Sequence, residues 1–365
     1  MKIAFVSDVV YPWTKGGMES MHYIEMKELA KDNEVYCFCL QFDGMKKEFV
    51  KEGIHYIGVA KAPIEGLYTK NGTRSIALAR RFASALPEAL NHYSFDLVYA
   101  NSFPYLHLGV VKAYCRAHGC RLALDVAEVW SIDRWRAYLG RLKGLISYHY
   151  ARGALRGADA YVANSSATAR DLEALGIPNG KIKVFSPVID LDAPARHVKK
   201  GLTVIYPGRF IKEKRLDLWI DMIIKAHKLN PGIKGLIVGS GPEETTIRRK
   251  IRNHAFIKIR KPYPSKKLLY NAVARSIAML NMSEREGLSI ITIESAALGT
   301  APVLPSYTPI PDEVKDLSIV KDVDEIPKTI ADIADGNIKY IIDRKMLKRF
   351  DVKRTHDVFR KLLNG

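Results

Sequence analysis

Two successive series of short apolar runs, each run followed by an amphipathic stretch, cover most of the chain, and the second begins afresh near Gly201. In the first, "KIAFVS" reads as a strand, "GGMESMHYIEMKELAKD" as a helix and "EVYCFCL" as a strand again. "HYIGV", "LVYAN", "LALDV", "AYVANS" and "IKVFSP" continue the strands, with helical patterns such as "TRSIALARRFASALPEAL" and "ATARDLEALG" between several of them. Strands that alternate with helices build βαβ units and a parallel sheet. "SPVIDLDAPARHVKKG" then carries two prolines, mixed charge and no apolar periodicity, so Pro187 to Gly201 is the expected linker. The series restarts with "LTVIYPG", "RLDLWIDMIIKAHKL", "GLIVGSG", "EETTIRRKIRNH" and "FIKIRK", and it runs on to a basic amphipathic end, "RKMLKRFDVKRTHDVFRKLLNG". The expected architecture is α/β: two Rossmann-like parallel-sheet domains facing across a cleft. Ligands of such sheets bind beyond the carboxyl ends of the strands, so chemistry is sought in the loops that follow them.

With 365 residues there is ample chain for two domains. The 47% apolar and 26% charged residues are those of a soluble globular protein, and no apolar run is long enough to span a bilayer. Asp8 interrupts the apolar N-terminal run, which therefore reads as a first strand and not a signal peptide. None of the four cysteines has zinc spacing, and they read as reduced cytoplasmic core thiols. The formal charge of +18 favours an anionic partner: a nucleic acid, a membrane surface or a phosphorylated small molecule. No recognised RNA- or DNA-binding module is visible, which weighs against a nucleic-acid-binding protein.

The stretch "SEREGLSIITIESAALGTAPVL" sets Glu286 and Glu294 eight positions apart across a nearly uncharged segment. Glutamates are rarely buried without a partner. Gly287 allows a sharp turn after the strand "SIAMLNM", and a helix begins near Leu288. Its first backbone N–H groups carry the positive end of the helix dipole and make an anion site. Glu294, two turns further in, can take two vicinal hydroxyls such as those of a ribose. In "YPGRFIKEKRLD", Gly208 and Arg209 end a strand and Lys214 follows, as a diphosphate needs where no metal neutralises it. "VGSGPEE" adds a strand–helix turn with Gly239 and Gly241, short of a full dinucleotide fingerprint.

In this order and spacing, "GRFIKEKRLD", "VGSGPEE" and "SEREGLSIITIESAALGTAPVL" resemble the C-terminal half of the retaining glycosyltransferases of family 4, which have the GT-B fold. "YPWTKGGMESMHYIEMKELAK" is similar to that family's opening Gly-Gly loop and first helix, and "GADAYVANSSATARDLEALGIPNGKIKVFSP" to the end of its N-terminal domain. The resemblance spans essentially the whole chain. It implies an acceptor-side domain over residues 1–190, a nucleotide-sugar domain over 191–340, and a C-terminal helix, 341–365, packing back on the first domain. It implies a hexosyltransferase in which Arg209 and Lys214 neutralise the donor diphosphate. Leu288 and Ser289 N–H groups hold its distal phosphate, Glu286 the transferred sugar and Glu294 the ribose. Gly208, Gly239 and Gly287 shape the donor loops, while Gly16 and Gly17 bring backbone against the diphosphate or sugar. The departing phosphate itself takes the acceptor proton, so no side-chain nucleophile is expected. Other GT-B enzymes, such as nucleotide-sugar epimerases, share these binding residues.

The chain departs from the family pattern in two places. Pro187, Val188, Ile189 and Asp190 stand where Asn-Gly-Val-Asp is common, and "LDVAEVW" offers Asp125 and Glu128 where many members place a histidine. Glu128 resembles an acceptor contact, and a loop-capping role for either acid is equally open. "DLD" at Asp190–Asp192 and "DVD" at Asp322–Asp324 have metal-like spacing, but neither is expected to face the cleft, so no metal is assigned. No cofactor is expected beyond the nucleotide-sugar substrate. The stretch 134–156, "RWRAYLGRLKGLISYHYARGALR", has six Arg or Lys and no acid, and Trp135, Leu139, Leu142 and Ile146 recur at helical steps. It reads either as a core-facing helix or as one lying on anionic lipid, where a cytoplasmic enzyme could meet a lipid-linked acceptor at the inner face of the cell membrane.

Overall fold

The computed structural model describes residues 1–14, 16–69, 73–191 and 199–364. Residues 192–198 of the expected linker, Asp192 among them, lie outside this set. The chain forms two units, Met1–Pro187 with Asp351–Gly365, and Val188–Phe350.

The first unit has eight strands: β1 (Lys2–Val6), β2 (Glu34–Phe42), β3 (Glu48–Lys51), β4 (Ile54–Ala62), β5 (Leu97–Asn101), β6 (Arg121–Val126), β7 (Ala160–Ala163) and β8 (Ile182–Val184). They lie in the order β3-β4-β2-β1-β5-β6-β7-β8. All neighbours are parallel except β3, which runs antiparallel to β4. β5 is buried along its whole length and β1 nearly so, as expected of strands covered by helices on both faces. The edge strand β3 was not anticipated. Its two-residue turn, Glu52–Gly53, takes positive φ at both positions (52° and 78°), the form that matches strand twist, but Glu-Gly is a weaker signal for it than Asn-Gly.

The helix Thr355–Asn364 closes this unit. Its buried Val358, Phe359 and Leu362 fall on one face. The Phe359 ring stacks on Phe5 at 5.7 Å and tilts against Tyr99 at 4.9 Å, so the last turns of the chain seal the core beside β1 and β5.

The second unit has β9 (Gly201–Pro207), β10 (Lys234–Val238), β11 (Ile257–Arg260), β12 (Ser276–Leu280), β13 (Ala301–Pro305) and β14 (Ile319–Lys321). Their order is β11-β10-β9-β12-β13-β14, all parallel. The strand order reverses between β9 and β12, and the loops leaving those two strands part to opposite sides there. Trp219, wholly buried on the helix Leu216–Leu229, donates its indole N–H to the Leu280 carbonyl at 3.1 Å. That bond fixes the end of β12, from which the "SEREG" loop departs.

The 134–156 stretch is two helices, not one stripe. Ile132–Leu139 and Arg141–Leu155 break at Gly140, whose φ of 83° and ψ of 171° suit only glycine. Trp135 faces the core, while Leu142 and Ile146 on the second helix face outward.

Candidate active site

The switch point of the second sheet gathers the expected donor residues. Gly208 and Arg209 follow β9, and the Gly208 N–H donates to the Val238 carbonyl at 2.9 Å, tying this loop to the end of β10. The next loop is interlocked with it: Phe210 N donates to the Ser240 carbonyl at 2.9 Å, and a Cβ on Gly239 would overlap the Gly208 carbonyl oxygen. The backbones approach so closely that glycine is required. Arg209 is exposed, and among the described residues its guanidinium has no ion-pair or hydrogen-bond partner.

Lys214 and Glu286 meet directly, Nζ to Oε1 at 2.7 Å, although they are 72 positions apart. Asn281 Nδ2 donates to the same Oε1 at 3.0 Å and reaches Ser289 Oγ at 3.2 Å. The loop that carries Glu286 is fastened to the segment that carries Lys214: Glu284 N donates to the Glu213 carbonyl at 2.9 Å, and Ser283 Oγ to the same oxygen at 3.2 Å. Asn281 was not singled out in the sequence, where it is simply the residue after β12.

Gly287 and Leu288 lead to the helix Ile290–Ala297, whose N-cap Ser289 takes a left-handed conformation (φ 59°, ψ 68°) without capping through its side chain. Ser289 Oγ instead lies 2.8 Å from Thr292 Oγ1. Among the described residues the N–H groups of Leu288 and Ser289 meet no acceptor, which leaves donors at the positive end of the helix.

Glu294 is nearly buried, with its side chain 5% exposed. Two groups from the helix Lys266–Ala274 converge on its Oε1: Lys266 Nζ at 2.9 Å and the Tyr270 hydroxyl at 2.6 Å. They stand one helical turn apart and so share a face. Oε2 receives no donor from the described residues. Burial, then the neighbouring carboxylate, pushes the Tyr270 phenol up, so it stays a donor. Neither partner was anticipated; the i, i+4 spacing of Lys266 and Tyr270 was the one available signal.

In the first unit, Gly16 is the N-cap and Gly17 the first residue of the helix Gly17–Leu29. Asp125, the penultimate residue of β6, is fully buried, and His22 Nε2 from that helix lies 2.6 Å from its Oδ2. Burial pulls the imidazole down, but Asp125, Glu25 and Glu19 outweigh it and push His22 up to about 9, so the ring is a cation that donates to Asp125. Glu25, on the same helix, is fully buried with neither carboxylate oxygen hydrogen-bonded, and burial pushes it up to about 8 against the pull of His22. Glu128 Oε2 accepts from Trp130 Nε1 at 2.7 Å and Arg134 Nη1 at 3.0 Å. Asp125 is thus committed to the helix Gly17–Leu29, and Glu128 to its own loop. No cluster of three or more His, Cys, Asp or Glu able to hold a metal occurs among the described residues.

Comparison with known proteins bears on the same segments. The family described as Glycosyltransferase Family 4 matches residues 15–193, and that described as Glycosyl transferases group 1 matches residues 190–355. A search of curated proteins gave no match. Among solved structures, Anabaena HepE in complex with UDP and glucose is 14% identical, with 100% of this chain and 99% of that one covered at a TM-score of 0.70. Sucrose-phosphate synthase from Thermosynechococcus elongatus is 14% identical, covering 99% and 98% at 0.76. The apo lipopolysaccharide outer core galactosyltransferase WaaB is 18% identical, covering 99% and 100% at 0.66. At such identities the likeness is one of fold. Two family matches that adjoin near the unit boundary, over two parallel sheets of this topology, establish that the chain belongs to the family 4 glycosyltransferases and has the GT-B fold.

Proposed function

We propose that the chain transfers a hexose from a nucleoside-diphosphate sugar to an acceptor hydroxyl, with retention of configuration and without a metal ion. The observation that carries this reading is the Lys214–Glu286–Asn281 cluster at the ends of β9 and β12, together with an exposed Arg209 that has no ion-pair or hydrogen-bond partner for its guanidinium among the described residues. Arg209 and Lys214 neutralise the diphosphate, the N–H groups of Leu288 and Ser289 hold the distal phosphate, and Glu286 takes hydroxyls of the sugar. Glu294 binds the ribose through the oxygen that Lys266 and Tyr270 leave open. The bond from C1 of the sugar to the distal phosphate oxygen breaks, and the acceptor oxygen bonds to C1 on the same face. Its proton passes to the departing phosphate oxygen, so the step needs no side-chain nucleophile. Two fixed cations supply the charge that a divalent ion would otherwise bring.

Gly16 and Gly17 present backbone to the donor, and Asp125 acts by orienting their helix through His22. Glu128 is left as the acceptor-side carboxylate of its loop. The acceptor is a glycan or lipid-linked precursor met at an anionic membrane through residues 134–156. The UDP and glucose bound by HepE make a uridine-diphosphate hexose the first donor to try.

The test is a thermal-shift series over UDP, GDP and ADP, since a ligand that binds only the folded state raises the melting temperature. It is followed by nucleotide release and product anomer analysis with candidate acceptors in EDTA. An inverted product anomer, or release that needs added magnesium or manganese, would contradict the reading.

A further inference from the structure

The helix Arg141–Leu155 turns two small residues inward and several large apolar ones outward. Gly144, Ala151 and Leu155 face inward, and a side chain on Gly144 would strike the backbone at Arg136, so the two helices of this hairpin lie almost in contact. Lys112 Nζ binds the Ala154 and Arg156 carbonyls and fixes the other end. On the outward face Leu142, Ile146 and Tyr150 are 71%, 62% and 47% exposed. Their spacing of four residues puts them in one stripe along the axis, drifting by about 40° per step. At 100° per residue Lys143 lies beside the stripe and Arg141 at its N-terminal end, whereas Arg152 falls nearly opposite Tyr150 with its guanidinium over the Tyr148 ring. Among the described residues neither Arg141 nor Lys143 has an ion-pair partner, whereas Arg134 and Arg136 of the preceding helix pair with Glu128 and Asp133. The helix itself contains no acid.

Leaving three large apolar side chains in water on one rigid face, between uncompensated cations, has no role in the unit's own packing. We infer that this face docks on an anionic lipid surface, with Leu142, Ile146 and Tyr150 entering the headgroup–acyl boundary and Arg141 and Lys143 lying among the phosphates. Charge selects the occupant: a second copy of this chain would bring like charges against Arg141 and Lys143, and an apolar protein groove would leave them desolvated and unpaired. An amphipathic helix of this kind lies in the interface plane and does not span, in keeping with the lack, among the described residues, of any helix long and apolar enough to cross. The inference rests on the membrane-side acceptor proposed above and names the surface that meets the membrane.

The experiment is vesicle co-sedimentation of the full chain with phosphatidylcholine alone and with phosphatidylcholine–phosphatidylglycerol mixtures. The protein should sediment with the mixed vesicles and not the neutral ones, and high salt should release it. Arg141→Gln and Lys143→Gln together should weaken binding by about twenty-five-fold, at roughly fivefold per charge. Leu142→Ser, Ile146→Ser and Tyr150→Ser together should abolish it, and Ile146→Lys alone should weaken it. These positions are exposed, so melting temperature and the thermal shift with UDP should stay unchanged, which separates failure of this inference from failure of the glycosyltransferase reading. No sedimentation with anionic vesicles would overturn it, as would binding that both the glutamine and the serine variants retain. A dimer that the serine variant dissociates would overturn it too, by assigning the face to a second copy.

Discussion

The Tyr270 hydroxyl donates to Glu294 Oε1 at 2.6 Å, and this bond, with Lys266 on the same oxygen, leaves Oε2 without a donor among the described residues and open to the ribose hydroxyls of the proposed donor. Tyr270→Phe removes a hydrogen bond to a buried charge, which costs about 1.5–3 kcal/mol. Donor KM should rise and kcat change little, because the bond is made equally in ground and transition states. Glu294→Ala should show the same pattern more strongly. A 2′-deoxyribose donor should discriminate poorly in both variants; unchanged discrimination would disconnect Glu294 from the ribose.

At the other glutamate the pattern should invert. Glu286→Ala is expected to lower kcat more than it raises donor KM, because the proposed function puts Glu286 at the reacting sugar. Arg209→Ala and Lys214→Ala should each lower kcat by about 2–4 kcal/mol of transition-state stabilisation. Because Lys214 and Glu286 share a 2.7 Å contact, the double variant should lose less than the two single losses added. Strict additivity would mean that the two side chains act apart.

The buried His22–Glu25–Asp125 group makes a pH prediction of definite sign. His22 at about 9 lies above its ordinary 6.5, so its stabilisation is fully present below pH 6.5 and is lost as pH rises to 9. Glu25 at about 8 lies above its ordinary 4.5, so the folded chain retains a proton that the unfolded chain releases, and stability falls between these values as well. Both act in one direction: the melting temperature should decline from mildly acid to alkaline pH. Glu25→Gln should flatten the decline, and an equally steep decline in that variant would show that Glu25 does not hold the proton.

Gly239→Ala should cost at least about 2 kcal/mol in urea unfolding, since its Cβ would overlap the Gly208 carbonyl oxygen. Gly299→Ala, at φ 70° with open space around it, is the control and should cost only about 1 kcal/mol. Equal effects would mean that the loops after β9 and β10 can separate freely.

Two parallel sheets and the strand-end loops were legible because they depend on local periodicity and on which residues follow a strand. Arg209, Lys214 and Glu286 each sit in such a place, and Glu294 lies in the helix that follows one of these loops. Their partners were not legible. Lys266 and Tyr270 come to Glu294 from a neighbouring helix, and His22 comes to Asp125 across 103 positions, by routes that only the sheet order sets. The 134–156 stretch misled for a local reason: one residue, Gly140, breaks the helix and turns Leu142 and Ile146 away from the side that Trp135 occupies.

The return of the chain end to the first unit has a consequence for synthesis. The eight-stranded sheet is translated by Pro187, yet the helix that carries Phe359 to Phe5 and Tyr99 follows the whole of Val188–Phe350. The second unit is continuous in sequence and can fold as it emerges, while the first waits with its core open beside β1 until Thr355–Asn364 has been made. Chains cut after Phe350 should therefore hold a complete second unit and a first unit prone to aggregate, and a tag fused directly to Asn364 would burden the step that closes the fold.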